Sequence, residues 1–269
     1  MNINHFYERA EVVHEVVEAK RSAVCYEFMV GLVTKRTNNV GDKRILDIGC
    51  GDGSFAIRFR KYSEVFGIDI SQKAIDLARK AGLSAYRADI SREKLPFGSE
   101  YFDVVYMGDV IEHLLNPDFA ICEVLRVLKR GGFLVLSTPN LASWLNRLLL
   151  FLGLQPRYSE VSTVKQFGRF GGQDFTPVGH LRLFTYRALR QFLTFYHFNI
   201  VKAEGVASEG LLGALNQIDR VIGRIPSLAS TVIVVVQKGQ REKETGAYRL
   251  QKPSCYNHES VILFIGLVM

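Results

Sequence analysis

Short apolar runs that alternate with stretches of helical periodicity constrain this chain more than any other feature. The runs Arg44 to Ile48, Glu64 to Asp69, Ser84 to Ala88, Phe102 to Met107 and Phe133 to Thr138 read as strands. Between them Ser54 to Tyr62, Ser71 to Lys80 and Asp118 to Leu128 read as helices, with Ser71 as N-cap and Gly82 as stop of the second. Strands alternating with helices imply a parallel sheet, because a crossover helix returns the chain to the same end of the sheet. Two later β-branched runs, His197 to Glu204 and Thr231 to Gln237, extend the pattern, and a helical region from Phe6 to Thr34 precedes it. In 269 residues, 48% of them hydrophobic, one sizeable core and a small cap can be buried. The expectation is a single α/β domain with an insertion.

Behind the first strand the glycines recur as Asp47-x-Gly49-x-Gly51-x-Gly53. In open α/β sheets ligands bind outside the carboxyl ends of the strands, and glycines there permit positive φ and close approach of the backbone. A dinucleotide loop wants G-x-G-x-x-G; here the third glycine comes one residue early and Ser54 takes its place, which argues against a nicotinamide cofactor. Asp69 ends the second strand about twenty residues on, where an acid can accept from ribose hydroxyls. The ligand reads as a nucleoside, with Asp89 placed to meet the base.

Charge separates the chain into unequal parts. Its formal net charge is +7, but Met1 to Lys43 and Arg44 to Asn140 are each balanced, whereas Leu141 to Lys202 carries eight basic residues against two acidic ones. A basic segment beside a catalytic core points to an anionic substrate or partner, or else to an ordinary solvated face. Cys25, Cys50, Cys122 and Cys255 lie far apart, which argues against a disulfide framework and a zinc site. They read as reduced thiols, and no metal is expected. Met1 to Gly41 lacks a signal-peptide pattern and no segment is apolar enough to span a bilayer, so the expected location is cytoplasmic.

The stretches LDIGCGDG, GIDIS, ADI, LPF, FDVV, DVIEHL and LKRGGFLVLSTPN follow one another over about a hundred residues, and together they resemble the class I S-adenosylmethionine-dependent methyltransferases, in the broad group that includes ubiquinone-pathway enzymes. Arg130 stands where that family has proline before the paired glycines, a swap expected to alter a turn. The resemblance implies a Rossmann-like, doubly wound, seven-stranded sheet, mostly parallel with the last strand antiparallel, plus N-terminal helices and a lid insertion. It implies S-adenosylmethionine as cofactor, with Asp47, Gly49, Cys50, Gly51 and Gly53 bordering its methionine portion and ribose. Asp69 and Ile70 would meet the ribose, Asp89 and Ile90 the adenine, and Gly108 and Asp109 the region near the methyl. Tyr7 and Arg21, in the first helical region, are further candidate contacts to the cofactor carboxylate.

On the acceptor side a hydroxyl nucleophile would need a general base, and histidine suits neutral pH. His113 lies within DVIEHL, just past the fourth strand, as base, as substrate hydrogen bond, or as a brace for the following helix. His180 reads as opening a helix two residues before Arg182, a pairing that suits an anionic acceptor or a loop satisfied by backbone. Arg182, Tyr186 and Arg147 are the candidate substrate contacts. The expected organisation is a helical region 1–43, a methyltransferase domain 44–238 with a substrate lid at 141–181, and a tail 239–269 of unassigned structure. Ser143 to Leu154 reads as an apolar helix that caps the core, covers an apolar acceptor, meets a partner or rests on a membrane surface. Gly168 to Asp174 reads as part of the lid.

The leading function is methyl transfer to an O, N or C nucleophile of a small, anionic or partly apolar metabolite. RNA, of tRNA type, is the second acceptor class, permitted by the basic insertion but without a recognised RNA module or much basic-aromatic interleaving. A non-catalytic cofactor-binding partner protein ranks third.

Overall fold

The computed structural model describes residues 18–34, 42–169, 177–208 and 213–239. Tyr7, the greater part of the Gly168 to Asp174 stretch and the tail beyond Gly239 lie outside them. Helix α1 spans Glu18–Thr34. Strand β1 (Arg44–Ile48), β2 (Glu64–Asp69), α2 (Gln72–Lys80), β3 (Ser84–Arg87) and β4 (Phe102–Gly108) follow. Next come α3 (Pro117–Val127), β5 (Leu128–Pro139), α4 (Trp144–Phe151), α5 (Tyr186–Phe195), β6 (Phe198–Val206), α6 (Gly213–Ile222) and β7 (Thr231–Lys238).

The strands form one seven-stranded sheet in the order β3-β2-β1-β4-β5-β7-β6. The pairings among β3, β2, β1, β4 and β5 are parallel. β7 runs antiparallel to both of its neighbours. This is the doubly wound, mostly parallel arrangement expected from the sequence. The chain winds outward from β1 to β3 and then crosses back to lay β4 on the other side of β1. That reversal leaves a crevice at the carboxyl ends of β1 and β4, where ligands bind in such sheets.

Both faces of the sheet are covered, so central strands are apolar almost throughout. Leu46, Ile48, Val105, Met107, Leu134 and Leu136 pack on one side, and Ile45, Val104 and Val135 on the other. Burying one such side chain contributes roughly 1.5–3 kcal/mol. α1 joins the second face through Arg21, Cys25, Met29 and Val33, four buried residues spaced four apart. That spacing puts them on one helix stripe. Its first member is charged and stands at the end nearest the crevice.

Helix ends follow their side chains. Ser71 Oγ accepts from the Ala74 N–H at the start of α2, and Gly82 beyond its end takes φ +89°. Asn116, Ser143 and Thr185 cap α3, α4 and α5 in the same manner. The LPF stretch is held by buried Glu123, which accepts from the Leu95 N–H, and by Arg126, which donates to the Leu95 and Phe97 carbonyls.

Three local expectations change. Ser54 to Tyr62 forms only a 3-10 segment, Ala56–Phe59, with i→i+3 bonds such as Tyr62 N–H to Phe59 carbonyl. Its aromatics explain this, because Phe55 packs edge-on against Phe59 and at a tilt against Tyr106, and that packing outweighs weak helix preference. Arg130 breaks nothing: β5 runs through it, Gly131 takes φ +70°, and Arg130 pairs with Glu100 at 3.1 Å. Cys25 and Cys50 are free thiols, as read, but Cys122 is disulfide-bonded.

Candidate active site

Beyond β1 the chain turns through Gly49, Gly51 and Gly53 with φ of +76°, +54° and +82°. At Gly49 glycine is required twice over, since a Cβ would also run into Val110. At Gly51 nothing stands within 4 Å of where a Cβ would be, so the loop offers bare backbone to the crevice. The loop is tied to β2. The Gly49 and Cys50 N–H groups donate to the Ile68 carbonyl at 2.7 and 3.0 Å. Gly51 N–H donates to Asp69 Oδ2 at 3.0 Å, while Asp69 Oδ1 accepts from Ser71 N–H at 2.9 Å. One carboxylate thereby holds the glycine loop and the start of α2, and each oxygen keeps a lone pair for a further donor. Burial pushes the Asp69 carboxyl up, opposed by those N–H groups and that of Ile70.

Asp47 is buried in β1, and among the described residues its Oδ1 has no hydrogen-bond partner. Burial and then the Asp69 charge push its carboxyl well above the usual range, against the pull of Arg21. A buried acidic oxygen beside open glycine backbone fits a ligand bearing positive charge or N–H donors. Cys50 is buried with its thiol pushed up by burial, so it lines the loop as an inert side chain.

At the end of β4 a Cβ on Gly108 would overlap the Tyr106 hydroxyl. Asp109 follows in the left-handed region at φ +52°. Its Oδ1 accepts from Ser137 Oγ at 2.8 Å, and its Oδ2 pairs with Arg21 at 2.5 Å. Arg21 also donates to Ser137 Oγ at 3.3 Å. The cation at the head of the α1 stripe thus lies against the carboxyl end of the sheet. At the end of β3, Asp89 Oδ1 accepts from Ser91 N–H at 2.9 Å and Oδ2 lies 3.6 Å from Arg92, while Ile90 packs in the core.

Past Asp109 a second constellation forms. Glu112 is fully buried; its Oε2 accepts from Thr138 Oγ1 at 2.9 Å, and its Oε1 has no hydrogen-bond partner among the described residues. Burial and then the Asp109 charge push its carboxyl well above the usual range. The neighbouring His113 ring lies 4.8 Å from that of His180, centroid to centroid, tilted by 48°. His113 Nδ1 is 3.1 Å from the Gly179 carbonyl and His180 Nδ1 is 2.9 Å from the Tyr158 carbonyl. A carbonyl only accepts, so both Nδ1 atoms carry the proton and both lone pairs sit on Nε2.

The structure therefore brings the two sequence-predicted histidines together, though by a different route. His180 does not open a helix: α5 begins at Tyr186, and 177–183 is irregular, with Gly179 at φ +84°, and is pinned by its backbone. Leu181 and Arg182 N–H groups donate to the Glu112 carbonyl at 2.8 and 2.9 Å. Glu160 accepts from the N–H groups of Val178, Gly179 and His180. His113 braces this segment instead of the helix after it.

Other candidates fall elsewhere. Arg182 donates to the Leu114 and Leu115 carbonyls, and Arg147 to those of Ala142 and Ser227. Tyr186 packs against the core beside Arg190. Arg169 donates to the Ser159 carbonyl and Lys202 pairs with Glu204. Four of the eight basic residues of 141–202 are thus held by these contacts within the fold. α4 is not a buried cap, since Leu148, Leu150, Leu152 and above all Phe151, 86% exposed, face outward. Among the described residues no helix is long and apolar enough to cross a membrane. Glu112, Ser137 and Glu160 escaped sequence reasoning. Only Glu112 carried a signal, as a lone carboxylate among apolar residues after a strand end.

The sheet order and the loop at its switch point define a class I methyltransferase-type fold. Residues 46–136 match the family model described as Methyltransferase domain. The chain is 34% identical over 134 residues to an uncharacterized methyltransferase of Schizosaccharomyces pombe, covering 44% of this chain and 46% of that protein. It is 34% identical over 130 residues to a ubiquinone biosynthesis O-methyltransferase of Agrobacterium fabrum, covering 46% and 51%. The chain spans about half the length of the curated relatives it matches. An S-adenosylmethionine-dependent methyltransferase of Methanosarcina mazei aligns with TM-score 0.53 at 25% identity, over 74% of this chain and 93% of that one. Residues 46–136 are thus similar to methyltransferase domains of the class I, S-adenosylmethionine-dependent kind, and these likenesses imply S-adenosylmethionine as the cofactor.

Proposed function

We propose that the protein transfers a methyl group from S-adenosylmethionine to an O, N or C nucleophile of a small, anionic or partly apolar metabolite, in the cytoplasm. The observation that carries this reading is the buried Asp47 Oδ1, without a hydrogen-bond partner among the described residues, beside the positive-φ glycine loop and Asp69. The cofactor supplies an electrophilic methyl group on a sulfonium. Asp69 takes the ribose hydroxyls with the lone pairs left by Gly51 and Ser71, Asp89 and Ile90 flank the base, and Asp47 offsets the cofactor's positive charge. Ile70, Cys50 and Gly108 shape the walls.

The protein's task is then alignment, which can supply about 7–11 kcal/mol of a barrier. His113 and His180 hold the nucleophile, with 141–181 as the lid over it, the domain extending over 44–238. Arg182, Tyr186 and Arg147 act from behind, by securing that lid and the segments it meets. Incubation with methyl-labelled S-adenosylmethionine and a cell extract, fractionated into lipid, small metabolite, RNA and protein, tests the reading. Label in the metabolite or lipid fraction is expected. Label in RNA would replace it with the nucleic-acid reading, and cofactor binding with no labelled fraction would favour a non-catalytic partner protein.

A further inference from the structure

Glu112, His113 and His180 each offer a ligand atom, and these atoms all lie within 4.8 Å of one another. They come from two segments 67 residues apart in the chain, joined by the donations of Leu181 and Arg182 N–H to the Glu112 carbonyl. Three features go beyond proximity. The Glu112 side chain is wholly buried, its Oε1 has no hydrogen-bond partner among the described residues, and its Oε2 is oriented by Thr138. An acid left in that state is costly in an apolar core, and a cation is the partner that removes the cost. Each histidine gives Nδ1–H to a backbone carbonyl, the second contact that orients a metal-bound imidazole and places its lone pair on Nε2. Finally the carbonyls that orient the rings belong to Gly179 and Tyr158, and Glu160 secures 178–180 through three N–H groups, so the histidines are held on a braced frame.

We propose that Glu112, His113 and His180 form a binding site for one divalent transition-metal ion. Two imidazoles and one carboxylate form a mixed nitrogen and oxygen set, which suits Zn²⁺, Mn²⁺ or Fe²⁺ and not the all-oxygen preference of Mg²⁺ or Ca²⁺. Three protein ligands leave a coordination position open. Resting on the methyl-transfer reading, that position would take the acceptor's hydroxyl oxygen, and the ion would lower its pKa so that its proton passes to solvent while His113 and His180 act as ligands instead of bases. The sequence reading expects no metal, because these ligands are not arranged in a spaced motif.

The test uses the full chain stripped with a chelator and dialysed into metal-free buffer. Calorimetric titration with Zn²⁺, and electron paramagnetic resonance with Mn²⁺, should give one ion per chain at micromolar dissociation constant or tighter. Glu112→Gln should weaken binding at least tenfold, and the double variant His113→Asn, His180→Asn at least a hundredfold. Circular dichroism melting checks that the variants fold. If Glu112→Gln does not fold, the half-buried histidine pair still decides. Less than one ion per chain, a preference for Mg²⁺ over Zn²⁺ and Mn²⁺, or unchanged affinity in a folded double variant would overturn the proposal. S-adenosylmethionine binding is titrated separately on the metal-free chain, so a failed methyl-transfer reading appears there and leaves the metal result standing.

Discussion

The two sides of the β4 carboxyl end are built by different means. On the side proposed for the nucleoside, Asp47, the glycine loop, Asp69 and Asp89 lie at the ends of parallel strands, each within a few residues of the strand that places it. On the side proposed for the acceptor, Glu112, His113 and His180 are brought together by backbone donations across 67 residues of chain and by Glu160 reaching back to 178–180. Strand-end sites inherit the rigidity of the sheet; the other side depends on a few polar contacts between the 3-10 turn Ile111–His113 and the irregular segment 177–183. A damaged strand end should therefore disturb the whole domain, and a damaged acceptor contact only its own side.

The strongest break is Gly49→Ala. Left-handed φ costs about 1–2 kcal/mol for a side-chain-bearing residue, and overpacking against Val110 about 1–3 kcal/mol more. Denaturant titration should show a loss of roughly 2–5 kcal/mol, together with loss of cofactor binding; a loss below about 1 kcal/mol would mean that the loop relaxes freely. Next is Asp69→Ala, expected to weaken S-adenosylmethionine by about 1–3 kcal/mol in calorimetry. Unchanged affinity would remove Asp69 from the site.

Glu160→Ala sharpens the contrast from the other side. Three N–H groups lose their acceptor, and a destabilisation of about 1–2 kcal/mol should appear with cofactor affinity unaltered. A matching fall in cofactor affinity would show that the two sides are not separable.

Acidity gives a smaller effect. Asp47 and Asp69 are raised by burial, so the folded chain keeps protons that an unfolded one releases near pH 4. Their contribution is thus greatest at low pH and declines as pH rises from about 4 through the raised folded values. A cationic cofactor favours the ionised forms. Its binding should release protons, and its affinity should fall as pH is lowered from neutrality; calorimetry in buffers of different ionisation heat reads both, and proton uptake would contradict the assignment. Smallest is Phe151→Asp on the outer face of α4, where stability should change by no more than about 0.5 kcal/mol. A large loss on melting would show that this face is covered in the intact protein.

Much of the nucleoside side was legible in the sequence. Arg44 to Ile48 and Glu64 to Asp69 were bounded as observed, and the spacing of Gly49, Gly51 and Gly53 pointed to the positive φ that all three adopt. Ser54 to Tyr62 reads as a helix in the sequence, but aromatic packing, a tertiary contact, replaces most of it with a 3-10 turn. His180 was placed on a helix because nothing local reveals that the N–H groups of 178–182 are taken by Glu160 and the Glu112 carbonyl.

By itself the sequence determined what depends on neighbours along the chain: strand and helix periodicity, the cap at Ser71, and glycine where φ must be positive. These are short-range preferences, written in a few adjacent residues. The tertiary structure alone decided that Arg21 meets Asp109, that four of the eight basic residues of 141–202 serve backbone carbonyls and other internal contacts, and that Glu112 lies buried beside His113 and His180. Such contacts are made by residues far apart in the chain, and their energy exists only once packing has closed the loops between them.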